Sequence, residues 1–147
     1  ASLTLLLVQA KNGEWWVFAL VLVVVSVDVG AYAAGVTLGK HKMTPRISPN
    51  KTWEGFAGAA LSAILAGVLI SLLALDQPWW VGVLLGVVVL LTATGGDLTE
   101  SLIKRNLGVK DMSSWIPGHG GFLDRLDSIL PSAVGVYGVA LILGVLA

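Results

Sequence analysis

Apolar residues run along this chain in four long stretches, separated by shorter polar segments. The stretches lie near residues 15–34, 55–75, 79–98 and 129–147, and a helix of about 20 residues crosses the roughly 30 Å of bilayer hydrocarbon. The stretches do not alternate apolar and polar residues with a period of two, and an open strand in lipid would leave backbone groups unpaired. The pattern therefore predicts an all-α, polytopic transmembrane helical bundle of about four spans.

The connections between these spans alternate between short and long. Two are short, at 11–14 and 76–78, and each is followed by a tryptophan pair that is typical of an anchor at the membrane interface. The other two, roughly 35–54 and 99–128, are polar and hold eight of the nine basic residues. Because basic loops tend to stay in the cytoplasm, both long loops are predicted to be cytoplasmic.

The composition agrees with a membrane protein and excludes several functions. The chain has 147 residues, of which 56% are apolar and 12% charged, with a mean hydropathy of +0.86. Lys plus Arg equals Asp plus Glu, without a long basic run, so nucleic acid is not an expected partner. The absence of cysteine excludes disulfides and thiolate-bound zinc. We expect one membrane domain over 1–147, in which residues 1–10 are the tail of an earlier span or the edge of a fragment.

Acidic residues lie where a purely structural bundle would avoid them. Asp28 falls inside the first span, where a carboxylate costs a few kcal/mol, although a neutral Asp could also serve as a packing hydrogen bond. Asp97 follows two glycines at the end of the third span, where the backbone could open. The residues three, four, seven and eight positions after Asp97 share its helical face, and they are Glu100, Ser101, Lys104 and Arg105. A solvated helix end with a Glu100–Lys104 pair is the alternative there.

The segment "PGHGGFLDRLDS", residues 117–128, combines a turn with a second acidic pair. Its proline and glycines form a turn whose backbone N–H groups can face an anion. Asp124 and Asp127 then lie one turn apart at the start of the last helix, although Asp127 could simply offset the helix dipole. Two histidines without cysteine make a poor zinc set.

The four acids Asp28, Asp97, Asp124 and Asp127 are expected to gather at one end of the bundle. Carboxylate oxygens favour Mg²⁺, which is often shared between one or two carboxylates and substrate phosphates, and a second metal ion is left open. Basic side chains beside such a site are what phosphoryl or nucleotidyl transfer requires. The residues alone thus predict a membrane enzyme that uses Mg²⁺ on phosphates.

Residues 101–127 resemble the signature of the phosphatidate cytidylyltransferases, or CDP-diacylglycerol synthases. The resemblance extends to "SPNKTWEG" at 48–55 and to Asp28, and it corresponds to the carboxyl-terminal, catalytic half of a longer enzyme. The signature positions that the chain matches are Ser101, Lys104, Arg105, Lys110, Asp111, Ser113, His119, Gly120, Gly121, Asp124, Arg125 and Asp127.

The resemblance implies transfer of a cytidylyl group from CTP to phosphatidic acid, a membrane lipid, in phospholipid biosynthesis. It implies a multi-pass protein of the cell membrane (the inner or plasma membrane). Asp97 and Asp124 would be metal ligands, with Asp127 and Asp28 as further candidates, and Lys104 and Arg105 would join the first two in catalysis. The implied substrate-binding residues are Ser48, Lys51, Thr52, Ser101, Lys110, His119, Gly120, Gly121 and Arg125.

Three alternatives share parts of this pattern. A CDP-archaeol synthase would perform the same chemistry on an ether lipid, and a polyprenol or dolichol kinase would transfer phosphate from CTP. An ion-coupled transporter would also carry acids inside its spans, but the second and fourth spans hold only Ser or Tyr as polar groups. Formation of a homodimer is left open.

Overall fold

A computed structural model describes residues 12–44, 48–106 and 122–144 of the chain. The prediction for residues 1–10 lies outside these ranges. In chain order, the described elements are helix α1 (Gly13–Leu38), strands β1 (Lys42–Thr44) and β2 (Ser48–Thr52), and helices α2 (Trp53–Leu73), α3 (Trp79–Asn106) and α4 (Phe122–Ile142).

Three of the helices are long and apolar enough to cross a membrane. They are Gly13–Leu38, Trp53–Leu73 and the section Trp79–Thr99 of α3. These helices confirm the predicted all-α, polytopic membrane fold. The fourth predicted span corresponds to α4, whose apolar section within the described residues is Ile129–Ile142. That section is shorter than the roughly 20 residues that a crossing needs.

Helix α2 packs largely through small side chains and turns several of its leucines outward. On α2, Gly55, Ala59, Ala63 and Gly67 recur every fourth residue and are all buried. The leucines at 61, 65 and 69 on the opposite side are more than half exposed. Lipid is as apolar as leucine, so helix association in a membrane gains more from close backbone approach than from burying large side chains.

Neighbouring helices approach each other closely at glycines. Where α1 crosses α2, a Cβ atom on Gly58 would lie 2.7 Å from the carbonyl oxygen of Gly30. One turn along α2, Ser62 donates a hydrogen bond of 2.7 Å to the carbonyl oxygen of Ser26 on α1. Where α2 crosses α3, a Cβ on Gly82 would lie 2.5 Å from the Gly67 carbonyl oxygen. Larger residues at these crossings would separate the helices.

Helices α3 and α4 run antiparallel and are joined by a partly buried pair of hydroxyls. The side-chain oxygens of Thr92 and Ser132 lie 3.0 Å apart, and Gly135 packs against Val88 and Thr92. Asp97 lies five residues after Thr92, and Asp127 five residues before Ser132. At 1.5 Å per residue, both backbones lie roughly 7.5 Å along their helices from this contact, and therefore at a similar level.

Three details differ from the sequence prediction. The first long polar connection is not an irregular loop, because Lys42–Thr44 and Ser48–Thr52 pair as an antiparallel hairpin. Trp16 is only 1% exposed and belongs to the core, whereas its neighbour Trp15 is 44% exposed and keeps the position of an interfacial anchor. Helix α3 does not open at Gly95 and Gly96, since each glycine costs a long helix only about 1 kcal/mol.

Candidate functional site

The hairpin is held against the end of α1 and the start of α2 by a compact set of hydrogen bonds. The backbone N–H of Trp53 donates to the carbonyl oxygen of His41 at 3.0 Å. His41 Nδ1 lies 2.6 Å from Glu54 Oε1, and its backbone N–H donates to Glu54 Oε2 at 3.2 Å. A carboxylate can only accept, so the proton of this short contact is on Nδ1. These bonds fix where the second strand meets α2.

Thr52 ends the hairpin and caps α2. Its side-chain oxygen accepts a hydrogen bond of 3.1 Å from the backbone N–H of Gly55, which is a standard way to satisfy the first turn of a helix. The resemblance assigns Thr52 to substrate contact. The structure gives the hydroxyl this structural role, and it also places Thr52 in the wall of the cavity described next.

We expect that weakening the His41–Glu54 contact loosens the hairpin. Glu54→Gln removes the negative charge but keeps the size of the side chain, so the hydrogen bonds to His41 become weaker. Backbone amides of residues 42–52 should exchange with solvent about threefold faster, as measured by hydrogen–deuterium exchange in detergent.

Glu14→Gln is the matched control for this experiment, because Glu14 is also an acid in the first turn of its helix, α1, and it is exposed. Unchanged exchange of the hairpin in Glu54→Gln would show that other contacts hold the hairpin.

A cavity of about 300 Å³ lies between α1, the hairpin, α2 and α3. Much of its wall consists of glycines and apolar side chains, such as Ala31 and Phe56. The remaining wall carries a mixed set of charged and hydroxyl groups, so one cavity offers acidic oxygens, a cation and hydroxyls together. These polar residues are Asp28, Tyr32, Lys51, Thr52, Thr94 and Asp97.

Lys51 and Asp97 form an ion pair in the wall of this cavity. Lys51 Nζ on β2 contacts Asp97 Oδ2 on α3, and the two side chains are 23% and 46% exposed. Asp97 shares its helical face with Thr94 and Ala93, three and four residues earlier, which also line the cavity. The pair therefore ties the hairpin to the end of α3.

The predicted residues on α3 beyond Asp97 remain on a continuous helix. The helix reaches Asn106, so Ser101, Lys104 and Arg105 lie within it. Ser101 is half-buried, four residues after Asp97 on the same face. For Lys104 and Arg105 the structure describes the helical backbone alone, so their predicted phosphate contacts stay predictions.

The other predicted residues are described in part or not at all. The backbone of Ser48 lies in β2, and the backbones of Asp124, Arg125 and Asp127 lie in the first turns of α4. Lys110, His119, Gly120 and Gly121 lie outside the described residues. Among the side chains that the structure describes, no three acidic or histidine groups come together as a metal cluster. Asp28 and Asp97 are the two predicted metal ligands that share the cavity.

Sequence analysis identified Asp97 and Lys51 separately and missed their contact. It also missed Tyr32 and Thr94 as wall residues. Thr94 could have been found, because it lies three residues before Asp97 and therefore on the same helical face. No sequence signal links Tyr32 to the hairpin, because its position depends on how α1 packs against α2.

The fold and this cavity define a membrane-embedded helical protein with acidic and basic groups at one end of its bundle. The chain belongs to the cytidylyltransferase family, whose model matches residues 1–143. The family resemblance predicted from the sequence motifs is thus confirmed.

Individual relatives support the same assignment. The chain is 51% identical over 132 residues to a phosphatidate cytidylyltransferase of Mycobacterium bovis, covering 90% of this chain and 43% of the relative. It is 53% identical over 134 residues to one of Mycobacterium leprae, covering 91% and 43%. With one of Brucella suis it shares 42% identity over 137 residues, covering 92% and 50%. The chain therefore spans about half the length of these curated relatives.

Proposed function

We propose that this chain carries catalytic residues of a phosphatidate cytidylyltransferase, which makes CDP-diacylglycerol and pyrophosphate from CTP and phosphatidic acid. The observation that carries the proposal is the 51% identity, over nine tenths of this chain, to a relative of that name. The cavity supports it, because Lys51 offers a cation to a phosphate, Asp28 and Asp97 offer carboxylates to a metal that the phosphates share, and the apolar wall suits a lipid.

The reaction joins two phosphates. An oxygen of the phosphatidic acid phosphate attacks the α-phosphorus of CTP and forms a new P–O bond. The bond between that phosphorus and the bridging oxygen to the β-phosphate breaks, and pyrophosphate leaves with the electron pair. A phosphate monoester has its second pKa near ~6, so the nucleophile is largely dianionic at neutral pH and needs little help from a base. The protein must mainly hold two anions together.

The residues around the cavity suit this task. We propose that Lys51, which lines the cavity, contacts a phosphate and that Thr52 adds a hydroxyl from the same strand. On the helical face of α3 that carries Asp97, we propose that Lys104 and Arg105 contact the phosphates of the two substrates. Further phosphate contacts are proposed for Ser48, Ser101, Lys110, His119, Gly120, Gly121 and Arg125.

The carboxylate oxygens that line the cavity are suitable ligands for Mg²⁺. Asp28 and Asp97 present carboxylate oxygens to one cavity, and Mg²⁺ in proteins is commonly held by one or two carboxylates together with substrate phosphates. We propose these two residues as ligands, with Asp124 and Asp127 as candidates from α4. A bound Mg²⁺ would lower the repulsion between the two substrate phosphates.

We further propose that the hairpin and the end of α3 face the cytoplasm of a multi-pass protein in the cell membrane. The hairpin segment carries Lys40, Lys42 and Lys51, whereas the connection between α2 and α3 is "ALDQP", residues 74–78, with an acid and no base. Basic residues favour the cytoplasmic side. An ion-coupled transporter is disfavoured, because the hydroxyls of Ser26, Ser62 and Thr92 inside the spans bond to helix carbonyl oxygens.

The test is release of pyrophosphate from CTP by the purified protein in detergent. We expect release that requires both Mg²⁺ and phosphatidic acid, with CDP-diacylglycerol as the lipid product. Release of CDP with a polyprenol or dolichol acceptor would instead indicate a kinase, and acceptance of an ether-linked lipid in preference to the ester would indicate a CDP-archaeol synthase. No reaction with any of these lipids would contradict the proposal.

A further inference from the structure

The ion pair between Lys51 and Asp97 joins a residue assigned to phosphate contact with one assigned to metal binding. Both side chains line the same cavity, and Asp28 lines it as well. The Lys51 side chain is 23% exposed, and its Nζ contacts Asp97 Oδ2 at the cavity wall. A cation on Asp97 Oδ2 opposes the approach of a second cation to that carboxylate.

We propose that Lys51 is an internal counter-ion that competes with the metal for Asp97 and moves to a phosphate when the nucleotide binds. The inference rests on the proposed function, because it takes CTP with Mg²⁺ as the ligand. Lysine is suited to a change of partner from Asp97 to a phosphate, because its ammonium is a compact charge on a flexible side chain. The triphosphate gives the ammonium a new anionic partner.

This exchange makes the binding of metal and nucleotide mutually supportive. With Lys51 on Asp97, metal alone must displace the ammonium from that carboxylate and brings no anion to receive it. When the triphosphate is present, Lys51 has a second partner and Asp97 becomes available to the metal. By thermodynamic linkage, each ligand then strengthens the binding of the other by the same factor. The site would thereby favour the metal–nucleotide complex over free metal.

A structural role for the ion pair predicts different behaviour. A pair that only ties the hairpin to α3 would, when broken, lower the stability of the protein and weaken or leave unchanged the binding of every ligand. The counter-ion role predicts opposite signs: removal of the Lys51 charge tightens the binding of metal alone and weakens the binding of CTP. Opposite signs cannot arise from a general loosening of the site.

The experiment measures Mn²⁺ as a probe of the Mg²⁺ site, by electron paramagnetic resonance of the free ion, in the detergent-solubilised protein without nucleotide. Lys51→Met keeps the apolar stem and removes the charge. Because the pair is partly exposed and screened, we expect Mn²⁺ to bind about threefold to tenfold more tightly than to the wild type. With saturating Mg²⁺, CTP should bind at least about threefold more weakly to the same variant.

Three variants control the measurement. Lys42→Met removes a charge from the same hairpin at a residue outside the cavity wall, and it should leave Mn²⁺ binding unchanged. In an Asp97→Asn background, Lys51→Met should no longer tighten Mn²⁺ binding. If Lys51→Met does not fold, Lys51→Gln serves in its place, because the amide can still bond to Asp97 without a charge.

Unchanged or weaker Mn²⁺ binding in folded Lys51→Met or Lys51→Gln would overturn the counter-ion role, and so would an equal gain in Lys42→Met. These results are distinguishable from failure of the proposed function, which would appear as absence of pyrophosphate release in the wild type. The Mn²⁺ measurement requires no nucleotide and no turnover, so it decides the competition between Lys51 and metal in either case.

Discussion

Replacement of Asp97 by Asn is expected to lower the rate of CDP-diacylglycerol formation by about 100-fold or more, while the protein remains folded. Asp97 lines the cavity on the same helical face as Ala93 and Thr94, and it is the partner of Lys51. Asparagine has the same size and can still accept a hydrogen bond from Lys51. It lacks the negative charge with which Asp97 would hold Mg²⁺, so the effect should fall on turnover and metal binding and not on folding.

Asp76→Asn is the matched control for that substitution. Asp76 is exposed in the connection before α3 and has a left-handed backbone, with φ of 51°, a conformation that both Asp and Asn tolerate. It lies 21 residues before Asp97, at the other end of the helix that carries the site. Pyrophosphate release should be normal in Asp76→Asn. Near-normal release in Asp97→Asn, measured beside it, would show that Asp97 does not bind the metal.

The helices could be predicted from the sequence because their signal is local. An apolar stretch of about 20 residues is sufficient to predict a span, and the three long apolar helices follow the predicted stretches within a few residues. The packing of Trp16 could not be predicted in the same way. A tryptophan near a span end suits the interface, and only the position of the neighbouring helices decides that this one is buried.

The hairpin escaped prediction because its sequence is poor in strand-forming residues. Its second strand, "SPNKT", contains a proline and an asparagine, both uncommon in strands. Contacts from outside the strands, through His41, Glu54 and Trp53, help to hold it. The contact between Lys51 and Asp97 depends on this hairpin. The family resemblance predicts roles for Lys51 and Asp97 separately. The two residues are 46 positions apart in the sequence, and their contact follows only from the tertiary structure.

The helix contacts made by small residues could likewise not be assigned from the sequence. Glycine and alanine are frequent in all the predicted spans, so the sequence indicates close packing without selecting the interface. The structure selects Gly55, Ala59, Ala63 and Gly67 on α2, and the close approach of Gly30 and Gly58 between α1 and α2. The close approach at Gly58 leads to the second prediction, which concerns stability and activity.

Addition of one methyl group at Gly58 is expected to lower both stability and activity. The new Cβ atom would collide with the Cβ of Ala34 and lie 2.7 Å from the carbonyl oxygen of Gly30. Neither atom can rotate away, so α1 and α2 must separate. Overpacking of this kind costs about 1–3 kcal/mol, which corresponds to a fall of roughly 3–10 °C in the apparent melting temperature in detergent.

Gly138→Ala is the control, because a Cβ on Gly138 meets nothing within 4 Å. Alanine favours a helix over glycine by up to about 1 kcal/mol, so this variant should melt at the same temperature as the wild type or slightly above it. Equal melting of Gly58→Ala and Gly138→Ala would show that α1 and α2 do not meet as closely as described.

The packing of α1 against α2 also sets the geometry of the cavity, and a measurement of activity tests this. Gly55 and Ala59 flank Gly58 on α2 and line the cavity, as does Ala31, next to Gly30 on α1. Separation of the two helices therefore moves the wall that carries Asp28 away from the wall that carries Asp97. At a temperature where Gly58→Ala is still folded, its pyrophosphate release should be reduced, and that of Gly138→Ala should not. A destabilised Gly58→Ala with full activity would mean that the distance between α1 and α2 does not control the site.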